Sequence, residues 1–213
     1  MSTRAQTILS VILSVSTVVA ITARGADRPV VTVSAAGVPN SGFGSAVAGG
    51  ADLTGDGIDD VLVGAPEVVA GSPGGLVRIL SGKTGTTAAT SYGTPGQRFG
   101  AAVAILGDVS GDGRADYAIG APSPTGVGKV FAYSGATGSI LYGISGSYSG
   151  GQFGSALSAI GDVDLDGRPD FAVGEPKGPS HAAGIVRVYS GATGAQIFQV
   201  QGWTSDEHLG SSL

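Results

Sequence analysis

Three nine-residue segments of this chain carry aspartate at positions one, five and nine. They are DLTGDGIDD (52–60), DVSGDGRAD (108–116) and DVDLDGRPD (162–170), named here loop 1, loop 2 and loop 3. Position three is threonine, serine or aspartate, and position six is glycine in every loop. Oxygen ligands at positions one, three and five, a sharp turn at six, a carbonyl at seven and a carboxylate at nine are the chemistry that surrounds a calcium ion. The pattern therefore predicts one Ca²⁺ site in each loop, three in all.

Two other interpretations of the loops are less consistent with the spacing. An EF-hand requires a glutamate at position twelve and flanking helices, whereas that position holds Val63, Ile119 and Val173 within apolar runs. A plain Asp-Gly turn explains one aspartate per loop but not three in register. Magnesium keeps more water around fewer carboxylates, so calcium is the preferred ion.

The loops differ in the number of charged ligands. Loop 3 offers four carboxylates, whereas loops 1 and 2 have the neutral Thr54 and Ser110 at position three. Because more carboxylates attract a dication more strongly, we expect loop 3 to bind calcium most tightly.

The acidity of the chain is concentrated in these loops. The pattern positions supply ten of the 16 acidic residues, and the formal net charge is -5. Proteins that bind nucleic acids carry a basic surface instead, so no nucleic-acid partner is expected.

The loops recur as part of a longer repeat. Phe-Gly pairs stand at 43, 99 and 153, and Leu209-Gly210 continues the series at spacings of 56, 54 and 56 residues. Each loop is followed by an apolar run (VLVGAP, YAIGAP or FAVGEP) and by an alternating segment that ends in a Ser-Gly turn. Four short strands per repeat predict an all-β protein built from β-propeller blades, with a β-solenoid as the less favoured alternative.

The predicted organisation is a leader followed by one repeat domain. Repeats are placed at 43–98, 99–152 and 153–208, with a fourth beginning at 209, inside a domain spanning 27–213. Residues 29–36 match the last strand of a repeat, so we expect three blades with partial strands on either side. Three blades are too few to close a propeller ring, so we expect either a fragment of a longer protein or a chain that self-associates through its open blade edges.

The first 26 residues resemble a secretory signal. Arg4 precedes an uncharged stretch from Ala5 to Ala23, with small residues near its end. A cleaved signal peptide is favoured over an uncleaved anchor, which would be the chain's link to a membrane. We therefore expect an extracellular or cell-surface protein, and the absence of cysteine means that another stabiliser must replace disulfides there.

The ordered series of Phe-Gly, acidic loop and Gly-Ala-Pro resembles the FG-GAP repeat. That repeat occurs in the β-propellers of integrin alpha subunits, in glycosylphosphatidylinositol-specific phospholipase D and in bacterial exported proteins. The resemblance implies a seven-bladed ring with calcium in the hairpin between the first two strands of a blade. By position, it implies these ligands: Asp52, Thr54, Asp56, the Ile58 carbonyl and Asp60; Asp108, Ser110, Asp112, the Arg114 carbonyl and Asp116; Asp162, Asp164, Asp166, the Arg168 carbonyl and Asp170. Glu175 departs from the pattern, because it replaces the alanine of the third Gly-Ala-Pro.

Residues that could serve an enzyme do not form a recognisable set. Lys83 lies in a Ser-Gly turn without the earlier glycine of a phosphate-binding loop, and His181 and His208 are isolated. Glu175 is interpreted as a surface residue in preference to an extra metal ligand, and the role of Trp203 is left open between capping a blade and binding a ligand. We therefore expect a non-enzymatic module.

The sequence leaves two functions in contention. The favoured one is a calcium-stabilised propeller of an exported protein that serves cell adhesion, with a protein or glycan ligand. The alternative is the accessory propeller of a larger secreted hydrolase.

Overall fold

The computed structural model describes residues 40–67, 74–178, 183–204 and 207–213. The predicted leader, the segment 29–36 and His181 lie outside this part of the chain. Within the described residues all regular structure is β, which confirms the predicted all-β class. No helix in these ranges is long and apolar enough to cross a membrane.

Twelve strands form three sheets of four. The first sheet contains β1 (Ala46–Ala51), β2 (Asp60–Ala65), β3 (Leu76–Leu80) and β4 (Thr87–Tyr92). The second contains β5 (Ala102–Gly107), β6 (Asp116–Ala121), β7 (Val127–Tyr133) and β8 (Ile140–Ser149). The third contains β9 (Ala156–Gly161), β10 (Asp170–Glu175), β11 (Ile185–Tyr189) and β12 (Gln196–Gln201).

Each sheet is an antiparallel meander in which strands pair in chain order. We call the sheets blades 1, 2 and 3. The first strands, β1, β5 and β9, lie next to one another where the blades meet. Four-stranded meanders stacked in this way are propeller blades, as the repeat length predicted.

A bulge at the end of each first strand precedes the acidic loop. The pairing of β1 with β2 skips Gly50, that of β5 with β6 skips Leu106, and that of β9 with β10 skips Ile160. Each skipped residue stands two positions before the first aspartate of its loop. A bulge bends the strand and increases its twist, so the same irregularity turns the chain into each acidic loop.

Two apolar cores join the blades. Leu62 and Ile79 of blade 1 pack with Tyr117 and Ile119 of blade 2, while Ala118 between them faces the opposite core with blade 3. Successive residues of a strand point to opposite faces, so blade 2 contributes alternating residues to both cores. Every residue of β6 is buried, as is every residue of β2 and β10, the second strands of the other two blades.

The repeated glycines lie at the contact between blades. A Cβ on Gly64 would stand 2.0 Å from the carbonyl oxygen of Gly100, and a Cβ on Gly120 would stand 2.0 Å from that of Gly154. The backbones approach too closely for any side chain there. The glycines of Gly-Ala-Pro and Phe-Gly therefore belong to one structural feature, in which a blade rests on the one before it.

The repeated aromatic residues form the core of the blades. Phe43, Phe99, Phe153, Tyr133 and Tyr189 are all buried. Phe43 lies beneath the guanidinium of Arg78, Phe153 beneath that of Arg187, and Phe99 beside the ring of Phe131. The prediction that these aromatic residues are core rather than ligand platform is confirmed.

The expectation that Glu175 lies at the surface is wrong. Its side chain is completely buried at the end of β10, where it accepts a hydrogen bond from Arg187 of β11. A buried carboxylate needs a partner to offset its desolvation, and Arg187 supplies that charge from the neighbouring strand. Sequence reasoning missed the pair because it compared Glu175 with its repeat equivalents and not with the strand opposite.

Candidate metal centres

Every acidic loop joins the first strand of a blade to the second. The first aspartate of each loop accepts hydrogen bonds from backbone amides of the same loop. Asp52 accepts from the amides of Gly55, Asp56 and Gly57 at 2.5, 3.1 and 2.7 Å. Asp108 accepts the same three bonds, and Asp162 accepts the two from positions five and six. These contacts bring several amide dipoles to one carboxylate and fix the turn locally.

The ninth aspartate is completely buried in all three blades. In loop 1, one oxygen of Asp60 accepts from the amides of Leu53 and Thr54, and the other accepts from the amide of Gly82 at 3.1 Å. Asp170 repeats this arrangement with Val163, Asp164 and Gly191, and Asp116 accepts one loop amide, from Ser110, together with that of Gly135. The ninth aspartate thus ties its own loop to the turn that follows the third strand.

The fifth aspartate binds that same turn through a serine that sequence reasoning did not select. The hydroxyl groups of Ser81, Ser134 and Ser190 donate to Asp56, Asp112 and Asp166 at 3.0, 3.1 and 3.4 Å. The signal was available, since Ser-Gly opens this turn in every repeat. The turn was interpreted only as a connection between strands, because nothing local in it indicates a contact with a loop more than 20 residues away.

The carboxylates converge in two of the three loops. Within the described residues, the ligand atoms of Asp52, Asp56 and Asp60 lie within 4.8 Å of one another, as do those of Asp162, Asp164 and Asp166. The three aspartates of loop 2 do not form such a group. Loops 1 and 3 therefore have the donor spacing that a cation with several oxygen ligands requires, and loop 2 differs from them.

Position three distinguishes the loops further. The Thr54 hydroxyl oxygen in loop 1 is buried and has no hydrogen-bond partner within the described part of the chain. Coordination to a metal would satisfy this oxygen, so the donor set of loop 1 fits a hard cation. At the same position of loop 3, desolvation and the charges of Asp166, Asp170 and Asp162 raise the pKa of Asp164, although a backbone hydrogen bond from Asp166 opposes the change. A bound dication would reverse that repulsion.

Two other aspartates, Asp52 and Asp112, have a lowered pKa. The hydrogen bond from the Arg114 amide, joined by the hydroxyl groups of Ser110 and Ser134, lowers the pKa of Asp112 against a smaller effect of desolvation. Desolvation acts on Asp52 as well, but the amides of its loop and the charge of Arg114 together lower its pKa. The lowered pKa favours the charged form of both carboxylates, which is the form that binds a cation.

Position seven was predicted to contribute only a carbonyl oxygen. In loops 2 and 3 its side chain also extends to the loop of the preceding blade. A Cβ on Gly55 would lie 1.7 Å from the Arg114 guanidinium, and a Cβ on Gly111 would lie 2.0 Å from that of Arg168. Arg168 also donates to the carbonyl of Val109 at 3.4 Å and lies 3.9 Å from Asp108. Neighbouring acidic loops are therefore in direct contact.

The remaining candidates lie apart from a common site. Lys83 donates to the backbone carbonyl of Asp56 at 3.3 Å, at the edge of loop 1. His208 is exposed, and Trp203 is 96% exposed.

Stacked four-stranded meanders with an acidic loop after each first strand define the chain as a β-propeller repeat protein. Comparison with known proteins identifies the repeat. Residues 43–90 and 153–189 match the family model described as FG-GAP repeat. Residues 99–152 fold into the same four-stranded order, so blade 2 has the same architecture.

Similar proteins include several integrin alpha subunits. The chain is 39% identical to integrin alpha-7 of Homo sapiens over 147 residues, covering 63% of this chain and 12% of that protein. It is 33% identical to integrin alpha-V of Gallus gallus over 185 residues, covering 79% of this chain and 17% of that protein. The chain therefore spans about one sixth or less of the length of these relatives. The crystal structure of a rhamnogalacturonan lyase aligns with a TM-score of 0.46 at 15% identity, covering 78% of this chain and 36% of that one.

The chain accordingly carries FG-GAP repeats and forms blades of an integrin-alpha-like β-propeller. This confirms the resemblance that the order of Phe-Gly, acidic loop and Gly-Ala-Pro indicated.

Proposed function

We propose that this chain is a calcium-binding, non-enzymatic propeller module of an exported protein, and that its surface recognises a protein or glycan in adhesion. The observation that carries the proposal is the convergence of three carboxylates within 4.8 Å in loop 1 and again in loop 3. Carboxylates held this close repel one another, and a bound dication converts the repulsion into attraction.

The residues would divide the task by position. In loop 1, Asp52, Asp56 and the Thr54 hydroxyl would face the ion. Asp60 holds the loop by accepting three backbone amides and would offer its remaining lone pairs. Calcium would supply no reaction here, because its role is to stabilise the hairpin.

A structural role for the aspartates also supports the assignment to a non-enzymatic class. General acid–base catalysis needs a carboxyl group within reach of substrate. The ninth aspartates are instead buried and accept backbone hydrogen bonds through both oxygens. Their hydrogen-bonding capacity is used within the protein.

Recognition would use exposed apolar side chains on the last blade. Trp203 is almost fully exposed and follows β12, whose Phe198 and Val200 are also exposed. Aromatic side chains of this kind dominate the energy of protein interfaces and stack on sugar rings. Export would follow from the signal-like residues 1–26.

The direct test is a calcium titration of the purified chain by isothermal calorimetry, with thermal unfolding measured in calcium and in chelator. We expect saturable binding and a lower melting temperature in chelator. At free calcium a hundredfold above Kd, each occupied site would add about 2.7 kcal/mol to the free energy of unfolding. Absence of both heat and stabilisation would refute the calcium role. Binding of the Trp203→Ala variant to arrayed glycans and extracellular proteins then tests recognition separately.

A further inference from the structure

The same contact between neighbouring acidic loops occurs twice along the chain. Arg114 of loop 2 lies over position four of loop 1, and Arg168 of loop 3 lies over position four of loop 2. Both covered positions are glycine, namely Gly55 and Gly111, and neither leaves space for a Cβ.

Loop 3 lacks this cover within the described residues. Its position four is Leu165, which is 86% exposed and has a φ of 64°. Gly55 and Gly111 have similar φ values of 79° and 77°. The backbone is therefore left-handed at position four of all three loops. That position is glycine in the two loops that an arginine covers and leucine in loop 3, so the backbone conformation alone does not determine the residue type. An uncovered loop tolerates a side chain that the guanidinium would exclude.

We infer that the arginine at position seven acts as a built-in cation for the preceding loop, where it opposes calcium binding and holds the two blades together when calcium is absent. This inference rests on the proposed calcium function. Arg168 lies 3.9 Å from Asp108, a predicted ligand at position one, and hydrogen-bonds the carbonyl of Val109. A fixed positive charge at that distance repels a dication in the same loop. The hydrogen bond and ion pair meanwhile join blade 3 to blade 2 without any metal.

The residue type at position three agrees with this role. Position three is neutral in both covered loops and is Asp164 in the uncovered one. The covered loops thus have fewer carboxylates at the ligand positions and a guanidinium nearby.

The experiment compares the unaltered chain with Arg168→Gln. Backbone amide resonances of Gly113 in loop 2 and Gly167 in loop 3 are followed by NMR during a titration with calcium chloride, which separates the two sites. We expect the variant to bind calcium about threefold to tenfold more tightly at loop 2, with loop 3 unchanged. In chelator the same variant should melt about 1–3 °C lower, because a partly exposed ion pair between blades is lost.

Two further variants isolate the cause. Arg168→Lys keeps the charge without the planar guanidinium, so it should bind calcium at loop 2 as weakly as the unaltered chain. Arg98→Gln removes another exposed ion pair, with Glu67 at 2.8 Å, in the segment that connects blade 1 to blade 2. The equivalent position 152 already carries glutamine at a similar φ. This control should lower the melting temperature without changing loop 2.

The outcomes distinguish a failure of this inference from a failure of the proposed calcium binding. Equal or weaker calcium affinity at loop 2 in Arg168→Gln would overturn the inference while leaving calcium binding intact. A purely structural arginine would give that weaker affinity, since a loosened loop binds less well. Unchanged glycine resonances in the unaltered chain would refute calcium binding and the inference together. If Arg168→Gln fails to fold, Arg114→Gln tests the same relation at loop 1.

Discussion

The buried ninth aspartates combine a negative charge with a complete set of backbone donors. Asp60 accepts amides from its own loop and from Gly82 of the following turn, while the adjacent Asp59 is exposed. An asparagine can replace only one of the two accepting oxygens. The position should therefore be sensitive to substitution even without a metal.

We expect Asp60→Asn to lower the free energy of unfolding by about 2–3 kcal/mol in chelator, because a buried amide donor loses its acceptor. Urea unfolding followed by circular dichroism measures the change. The matched control is Asp59→Asn, which should stay within about 0.5 kcal/mol of the unaltered chain. Equal effects of the two substitutions would contradict the assigned role of Asp60.

The buried ion pair of blade 3 can be compared with the equivalent positions of its neighbours. Glu175 and Arg187 correspond to Ala121 and Phe131 in blade 2, where the phenylalanine packs beside Phe99. Removing only the carboxylate leaves a buried guanidinium without its counter-charge. Replacing both restores an arrangement that the chain already contains.

Glu175→Ala should cost about 3–5 kcal/mol, the usual effect of breaking a buried pair by removing one partner. The double variant Glu175→Ala with Arg187→Phe should recover at least half of that loss. Chemical denaturation of both variants gives the comparison. If the double variant is no more stable than the single one, the cost does not come from the unpaired charge.

At the scale of elements, the contact between blades depends on glycines that no strand propensity explains. Gly120 in β6 would place a Cβ 2.0 Å from the Gly154 carbonyl of blade 3, whereas a Cβ on Gly49 in β1 has ordinary contacts beginning at 3.4 Å. Neither residue has a positive φ. The pair therefore separates the effect of blade contact from that of backbone conformation.

Gly120→Ala should destabilise the chain by about 3 kcal/mol or more, because backbone atoms must move apart at the junction of blades 2 and 3. Gly49→Ala should change stability by less than about 1 kcal/mol. Thermal unfolding of both variants measures the difference. Similar melting temperatures would show that the blades can separate at little cost.

Considering the whole molecule, blade 2 packs against a neighbour on each face through the two apolar cores. Every residue of β6 is buried, while five of the six residues of β12 are exposed and the other is intermediate. Stability in stacked repeats comes from the interfaces between neighbours as well as from each repeat. Strands that are buried on both faces should therefore open least often.

We expect peptides containing β6 to exchange their amide hydrogens at least tenfold more slowly than peptides containing β12, because opening β6 disrupts both cores. Hydrogen exchange with mass spectrometry measures both in one experiment. Comparable exchange of the two strands would contradict the protection of β6 by burial in the two cores.

Much of the architecture could be predicted because its causes are local. Alternating apolar residues, turn glycines and a period of about 55 residues determine four-stranded blades, and the aspartate spacing determines a folded acidic loop. The all-β class and the buried repeat aromatics followed directly. Each cause acts within one blade, so one repeat contains the information needed.

The tertiary structure determined the contacts between segments that are distant in the sequence. It gave Glu175 a buried partner, joined Ser81 to Asp56, and put Arg168 against a loop 59 residues earlier in the chain. A repeat alignment places equivalent residues side by side, but stacking brings non-equivalent ones into contact. Their energies arise from desolvation and charge at surfaces that exist only after the blades have packed, so the spacing of residues alone could not reveal them.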